Sequence, residues 1–430
     1  MREHHQRQEH ASSYYAASVN DVTDYPVLQG TVTTDVCVVG GGFTGVSTAL
    51  TLAERGYSVA LVEANRIGWG ASGRNGGQII HGGCGLDKIL EKHGDCIADL
   101  VWDMKWRGND IIRERVAKYD IDCDLKDGYA EVAVNEKQVG WLDDYVATRK
   151  SHNAPETYEI WSREETRDKL GTDAFHGAFV CYRDGHLHPL NLCIGEARAA
   201  HELGVKIFEQ SVVIDIEHGA RPRVNTSTGR VEADSVVLCG NAYSKLEPKH
   251  LSNLVFPAGS YVIATEPLSD EAAAEINGPD VAVCDLNEVV DYYRLSGDKR
   301  LLFGGACNYS GRDPRNIKSY MLPRMLKIYP QLKDVRIEYE WGGKIGIVLR
   351  RIPTVGRING NVYYCQGFSG HGVSPTHTMS EVMADAVAGT MERFDLFANE
   401  KHFRIPGTQW VGNQIIALGM LYYKMKDKIA

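Results

Sequence analysis

Residues 35–45 read Asp35-Val-Cys-Val-Val-Gly-Gly-Gly-Phe-Thr-Gly45, a short β-branched run that passes straight into glycines. An apolar run without polar alternation is the pattern of a parallel strand buried on both faces. Downstream, Val46, Ala49, Leu50 and Ala53 fall at i, i+3, i+4 and i+7, which predicts a helix closed by Gly56 in the left-handed conformation. Residues 58–63 predict a second strand ending in Glu63. Residues 35–63 therefore open a βαβ unit, and the fold class is α/β. Within the unit, Gly40, Gly42 and Gly45 make G-x-G-x-x-G, and Glu63 lies 23 positions beyond Gly40. Gly40 permits the tight turn, Gly42 lets backbone N–H groups approach a pyrophosphate, and Gly45 allows close helix–strand packing. The helix N-terminus adds partial positive charge, and Glu63 is placed to accept hydrogen bonds from ribose hydroxyls. This motif alone admits NAD as readily as FAD.

Two further glycine-rich segments narrow the choice. Trp69-Gly-Ala-Ser-Gly-Arg-Asn-Gly-Gly-Gln78 is too rich in glycine for stable regular structure and suits a loop whose main chain hugs a flat ring, with Arg74 and Asn75 as donors. Tyr363-Tyr-Cys-Gln-Gly-Phe-Ser-Gly-His-Gly-Val373 is a strand running into glycines, followed by a helix with Ser374 as N-cap, Pro375 in first position and an apolar stripe through Met379, Val382, Met383, Ala386 and Val387. A helix N-terminus at that point would stabilise negative charge on a reduced flavin.

Elsewhere, residues 100–119 predict a surface helix and residues 189–203 a helix ending at Gly204. Residues 205–217 read as β, and residues 234–239 as a second buried strand ending in Gly240, where the nucleotide-type sheet resumes. Residues 257–267 and 291–304 alternate and are rich in aromatics, which predicts an antiparallel sheet lining a pocket. The expected division is a discontinuous nucleotide-binding unit (1–100, 165–255 and 335–430) and a substrate unit (101–164 and 256–334).

Composition sets outer bounds. The 430 residues carry a net charge of −9, which argues against a nucleic-acid partner. Ten scattered cysteines form no C-x-x-C pair, so they read as reduced thiols of a cytoplasmic protein. His186 and His188 lack a third ligand nearby in sequence, and no metal is expected. His4, His5 and His10 read as a mobile tail. No stretch is long enough to span a bilayer, although residues 415–428 suit either a docked amphipathic helix or an interfacial one.

Together, the three glycine segments resemble the FAD-dependent amine and amino-acid oxidases of the glycine/D-amino-acid oxidase superfamily. Ser12-Ser-Tyr-Tyr-Ala-Ala-Ser18, His188-Pro-Leu-Asn-Leu192, Asp291-Tyr-Tyr-Arg-Leu295 and Arg393-Phe-Asp-Leu-Phe-Ala-Asn399 resemble its γ-glutamylputrescine oxidase-like subfamily. The resemblance implies a Rossmann-like FAD-binding domain interleaved with a mixed or antiparallel-sheet substrate domain. It places Gly40, Gly42, Thr44, Gly45 and Glu63 on the ADP portion of FAD. Ala71, Ser72, Asn75, Gly76, Gly77 and Gln78 fall along the ribityl chain and ring, and Gly370, His371, Gly372 and Val373 at its pyrimidine end. Val213 falls at the adenine, and Gly240 and Asn241 at a third glycine turn. Trp341-Gly-Gly-Lys344 offers no cysteine where some relatives attach the flavin, so FAD is expected to be noncovalent. Ser380, where many relatives have glycine, would loosen helix packing.

The implied chemistry is oxidation of a C–N bond in a small amine or amino acid, with electrons passing to O2 or a quinone. Substrates left open are a γ-glutamylputrescine-type amine and a secondary amino acid such as L-pipecolate. The candidate pocket residues are Tyr261, Tyr293, Trp341 and Arg350; His371 and Lys344 are the candidate catalytic groups, with Lys344 or Arg350 holding a carboxylate.

Overall fold

A computed structural model describes residues 8–151 and 158–429 of the chain. Its strands are β1 (Gly30–Val39), β2 (Val59–Val62), β3 (Gln78–Ile79), β4 (Lys126–Ala133), β5 (Tyr158–Trp161), β6 (Gly177–His186), β7 (Lys206–Phe208), β8 (Val213–Glu217), β9 (Arg223–Thr226), β10 (Gly229–Leu238), β11 (Phe256–Thr265), β12 (Ala282–Asp285), β13 (Asp291–Leu295), β14 (Leu301–Asn308), β15 (Ile337–Ile347), β16 (Thr354–Ile358) and β17 (Val362–Gln366). They form two sheets. The first runs β16-β17-β10-β1-β2-β7, with β9 and β8 added beyond β10. Its core is parallel: β1 pairs with β10 and β2, β2 with β7, and β10 with β17. Val36 and Val38 pack under helices on one face, while Cys37 and Val39 pack under the β8–β9 hairpin and residues 246–255 on the other. Burial on both faces explains why the strand reads as an unbroken apolar run.

The second sheet runs β15-β11-β14-β13-β12-β4-β6-β3, with β5 beside β6. Only the β12–β4 pair is parallel. Tyr261, Tyr293, Phe303 and Tyr329 belong to the core beneath its outer helices, which include Asp270–Asn277 and Ile317–Ile328. β3, β6 and β15 lie in segments expected in the nucleotide-binding unit, yet they pair into this second sheet. β15 matches β11 residue for residue from Phe256↔Ile347 to Ala264↔Tyr339, a ladder that backbone pairing imposes whatever the local glycine content.

Three other expectations shift. Residues 205–217 do not form one strand. The chain breaks at Glu209, whose buried carboxylate accepts from the Ile67 amide at 2.7 Å and pairs with Arg66 at 2.9 Å, so that β7 and β8 diverge. The helix Ala98–Lys118 is not a surface helix, because Val101, Met104, Trp106, Ile112 and Arg115 are buried against its neighbours. The C-terminal helix begins at Val373 with Gly372 as N-cap, leaving Ser374 and Pro375 inside the first turn, where proline's missing N–H costs nothing.

Four helices meet at a buried charge cluster. Arg115 lies 2.9 Å from Glu196, and His377 Nε2 lies 3.2 Å from the same carboxylate. Arg115 also donates to Ser47 Oγ at 2.6 Å, and Ser47 Oγ lies 2.6 Å from Ser380 Oγ. Ser380 therefore ties the helix Phe43–Glu54 to Val373–Val387 rather than loosening their contact. Burial pushes the Glu196 carboxyl up, but His377 and Arg115 pull it below its ordinary value. Its stabilisation is thus complete above the ordinary carboxylate range and fades as pH falls toward the depressed folded value. Glu196→Gln leaves the buried Arg115 with only the longer 3.5 Å contact to Glu54 and removes the partner of His377, and it is expected to cost about 3 kcal/mol. Thermal melts should show this gap at neutral pH, and it should narrow in acid.

Candidate functional site

A cavity of about 910 Å3 opens at the carboxyl ends of the parallel strands. Pockets for single small ligands span roughly 300–1,000 Å3, so this volume suits a ligand of dinucleotide size. The turns after β1, β2, β10 and β17 all contribute lining residues, the crevice position expected for ligands of open α/β sheets.

The first turn is built on missing side chains. Gly40 has φ +114°, and a Cβ on Gly45 would sit 1.8 Å from the Gly40 carbonyl oxygen. Gly42 is the N-cap of the helix Phe43–Glu54, which has no acidic residue in its first turn and whose first amide, Phe43 N–H, donates to Ser72 Oγ at 2.9 Å. That N-terminus lines the cavity through Gly42, Phe43 and Thr44 and presents N–H groups and positive dipole to an anion. Glu63 accepts from the amides of Gly41 at 2.6 Å and Asn65 at 2.8 Å, and burial raises its carboxyl. Each carboxylate oxygen keeps a second lone pair for a hydroxyl donor.

Ala71, Ser72 and Asn75 line the same cavity. Arg74 and Asn75, however, are engaged within their own loop. Asn75 donates to the carbonyls of Ala71 and Ser72 and accepts from the Gly77 amide at 2.8 Å. Arg74 donates to the Trp69 and Gly342 carbonyls. Gly76, Gly77 and Gln78 lie behind the lining. A Cβ on Gly76 would meet the Tyr292 ring at 2.5 Å, one on Gly77 (φ +74°) would meet the Leu187 carbonyl oxygen at 2.1 Å, and Gln78 donates to the Val283 carbonyl. These three residues dock the loop on the second sheet. Gly45 likewise packs rather than lines.

Gly240, Asn241 and Val213 line the cavity, as do Gly370, Gly372 and Val373. Asn241 adopts φ +46°, and its Oδ1 accepts from the Gly367 amide at 3.0 Å, joining the third turn to the C-terminal motif. The helix Val373–Val387 also starts without a first-turn acid, and its N-cap residue makes no side-chain cap. Two helix N-termini without a first-turn acid therefore face one cavity. His371 lies just outside the lining, beside Gly83, whose added Cβ would come within 3.7 Å of His371 Cβ. Its ring is solvent-accessible yet crowded by protein, and that crowding, with the Arg351 charge, holds it below the usual histidine range.

None of the candidate substrate residues lines the cavity, although Tyr261 and Lys344 meet at Asp313 Oδ1. Tyr261 donates to Asp313 at 3.0 Å, and Tyr293 shares a hydrogen bond with Tyr329 at 2.8 Å; both are buried in the core under the outer helices. Trp341 donates to the Arg74 carbonyl at 2.9 Å and so holds the loop. Lys344 pairs with Asp313 at 2.6 Å and Arg350 with Glu400 at 2.6 Å, so each cation already has a carboxylate. The residue the sequence reading missed is Tyr292. It alternates with Tyr293, packs with Tyr129, Cys284, Ile80 and Val290 on the sheet's inner face, and lies against the Gly76 turn. Strand parity was the available signal, since neighbours in β13 point to opposite faces. Arg351, adjacent to Arg350, donates to the Ser369 carbonyl at 3.1 Å from a left-handed backbone (φ +60°).

His186 and His188 take structural positions. His188 caps the helix Pro189–Glu202, and His186 lies 2.8 Å from the Asp280 carbonyl oxygen. His10 is half-buried beside Glu9, which pairs with Arg66, so it is packed rather than in a mobile tail; His4 and His5 lie outside the described residues. Among the described residues, His81, Cys181 and Asp184 bring three potential metal-ligand atoms within 4.8 Å of one another, with His81 bonded to Asp184 at 2.7 Å.

The chain is 42% identical over 424 residues to Gamma-glutamylputrescine oxidoreductase of Escherichia coli K12, covering 98% of this chain and 99% of that protein. It is 39% identical to Probable oxidoreductase OrdL of Haemophilus influenzae, with 98% of each chain covered. Its fold matches the glycine oxidase of Geobacillus kaustophilus with a TM-score of 0.72 at 21% identity, covering 86% of this chain and 100% of that one. The pattern of the DAO family, described as FAD dependent oxidoreductase, matches residues 35–386. A cavity that takes its donors from two helix N-termini and an acceptor from Glu63 fits that cofactor, and the chain belongs to the DAO family of FAD-dependent oxidoreductases.

Proposed function

We propose that the protein oxidises an aliphatic amine of γ-glutamylputrescine type to an imine, which hydrolyses to an aldehyde, with O2 reduced to H2O2. The observation that carries the reading is the near full-length likeness to the Escherichia coli Gamma-glutamylputrescine oxidoreductase. Bound FAD supplies the acceptor for the electron pair leaving the C–N bond. Gly40, Gly42, Thr44 and the two helix N-termini would hold its phosphates and ring oxygens, and Glu63 a ribose. The inner sheet face is apolar and aromatic around Tyr292, Tyr129, Cys284 and Ile80. Such a surface desolvates an incoming ammonium and favours its neutral form, which the oxidation requires. His371, whose basicity is lowered by burial and then by the Arg351 charge, would accept that proton at a ring nitrogen.

The L-pipecolate reading needs a cation for the substrate carboxylate, and both Lys344 and Arg350 are engaged elsewhere. One observation favours a second reading of the electron acceptor. The helix Gln409–Ile429 buries Ile416 against Phe256 and Ile347, yet Trp410, Ile415 and Leu418 are exposed on its other side. An interfacial helix delivering electrons to a membrane quinone would use such a stripe. No helix among the described residues is long and apolar enough to cross a membrane. The ten cysteines are all free thiols, which supports a reducing, cytoplasmic setting.

Anaerobic mixing with γ-glutamylputrescine, putrescine, L-pipecolate and sarcosine in turn should bleach the flavin absorption fastest with the first; reduction by NADH alone would remove the amine reading. Stoichiometric peroxide release without membranes supports oxygen as acceptor, whereas its absence alongside quinone reduction supports the second reading. His371→Asn is expected to lower kcat/KM roughly 100-fold with the flavin still bound, and an unchanged value would exclude His371 from proton transfer.

A further inference from the structure

Two motifs noted in the sequence, Ser12–Ser18 and Asp291–Leu295, are not used by the cavity lining, and they meet each other. Arg294, on β13, has 1% of its surface exposed. Its Nε donates to the Gly76 carbonyl at 2.8 Å, one terminal nitrogen to the Leu295 carbonyl at 3.0 Å, and the other to Tyr15 Oη at 3.3 Å. Among the described residues no carboxylate pairs with it. Asp124 feels the Arg294 charge but lies 3.5 Å from Lys126, while Asp280 lies 2.7 Å from Lys126 and Asp298 2.7 Å from Arg300. His186 and His188 are both pushed down to about 3, chiefly by burial and then by the Arg294 charge, so neither adds a second cation. A guanidinium buried against neutral partners is costly, and a chain that keeps one has a use for its field.

The direction of that field is set by the loop. Gly76 and Gly77 separate Arg294 from Asn75, and Asn75 lines the cavity. A Cβ on Gly77 would lie 3.0 Å from both Nε and one terminal nitrogen of Arg294, so the turn rests directly on the guanidinium. Behind it, Tyr15 is fully buried and packs edge-on against Trp341 at 5.2 Å and His188 at 4.9 Å. Tyr14 anchors the same short helix by donating to Asp298 at 2.7 Å. The segment before β1 is thus a strap that holds Arg294 through Tyr15.

We propose that Arg294, clamped by Tyr15, is the fixed positive charge behind the 75–77 turn, and that it raises the reduction potential of the bound FAD while holding the turn in place. A positive charge that does not move favours the more negative, reduced form of a nearby group without any reorganisation. Arg294 touches neither substrate nor cofactor in this arrangement; it is a positioning residue that acts through the Gly76 carbonyl and through its field. The inference rests on FAD occupancy of the cavity but not on the identity of the amine.

The test is therefore made without substrate, by dye equilibration during enzymatic reduction of the purified holoenzyme. Arg294→Met is expected to weaken binding of reduced relative to oxidised FAD at least tenfold, a fall in midpoint potential of about 30 mV for a two-electron couple. Arg294→Lys keeps the charge but loses the fork. Its potential should stay near that of the wild type at neutral pH and then fall as the buried ammonium deprotonates at alkaline pH, an inflection absent from the wild type. A wild-type potential in Arg294→Met, or a Lys variant without the extra inflection, overturns the proposal. Loss of FAD by both variants would assign Arg294 a purely structural role and overturn it as well. Failure of the amine reading would instead show as normal potentials with no reduction by amines.

Discussion

The carboxylate of Glu196 is the fixed point on which the site depends. Fully buried, it holds Arg115 from one helix and His377 from another, while Arg115 reaches Ser47 on a third. Two of the helices gathered there, Phe43–Glu54 and Val373–Val387, are those whose N-termini line the cavity. Neither N-terminus is capped by its own N-cap residue, although Ser72 Oγ accepts from the Phe43 amide, so their aim comes mainly from packing and from this ion cluster. Burying three polar groups is tolerable only because each satisfies the others. The electrostatic focus of the site thus originates in residues that do not touch the ligand.

The second constraint is close backbone approach. Gly45 against the Gly40 carbonyl, Gly77 against the Leu187 carbonyl and Gly76 against Tyr292 are contacts where a single methyl group has no room. They join the two sheets into one site: the first glycine turn belongs to the parallel sheet, and residues 76–78 dock on the antiparallel one. Trp341 and Arg294 then grip the loop from the second sheet, each through a carbonyl oxygen of the loop. Side chains hold the main chain, and the main chain is left to face the cofactor.

Much of the nucleotide side was legible in residue order. The β1 run, the G-x-G-x-x-G turn, Glu63 and the C-terminal glycine motif are local patterns, and each lies at the cavity. The substrate side was not legible. Tyr293 and Tyr292 are one residue apart, and composition cannot tell which faces inward; β13 pairing and the helix packed behind it decide. Lys344 and Arg350 are cations near the expected pocket in sequence, but Asp313 and Glu400, distant in sequence, take them up.

The sequence by itself determined which stretches must form tight glycine turns and which strands are buried on both faces, because excluded volume and hydrophobic period act over a few residues. Tertiary structure alone decided which charges are paired, which aromatic faces inward and which sheet receives β3, β6 and β15. Those outcomes depend on partners brought together from far along the chain, and a carboxylate or a neighbouring strand carries no mark of its partner in its own local sequence.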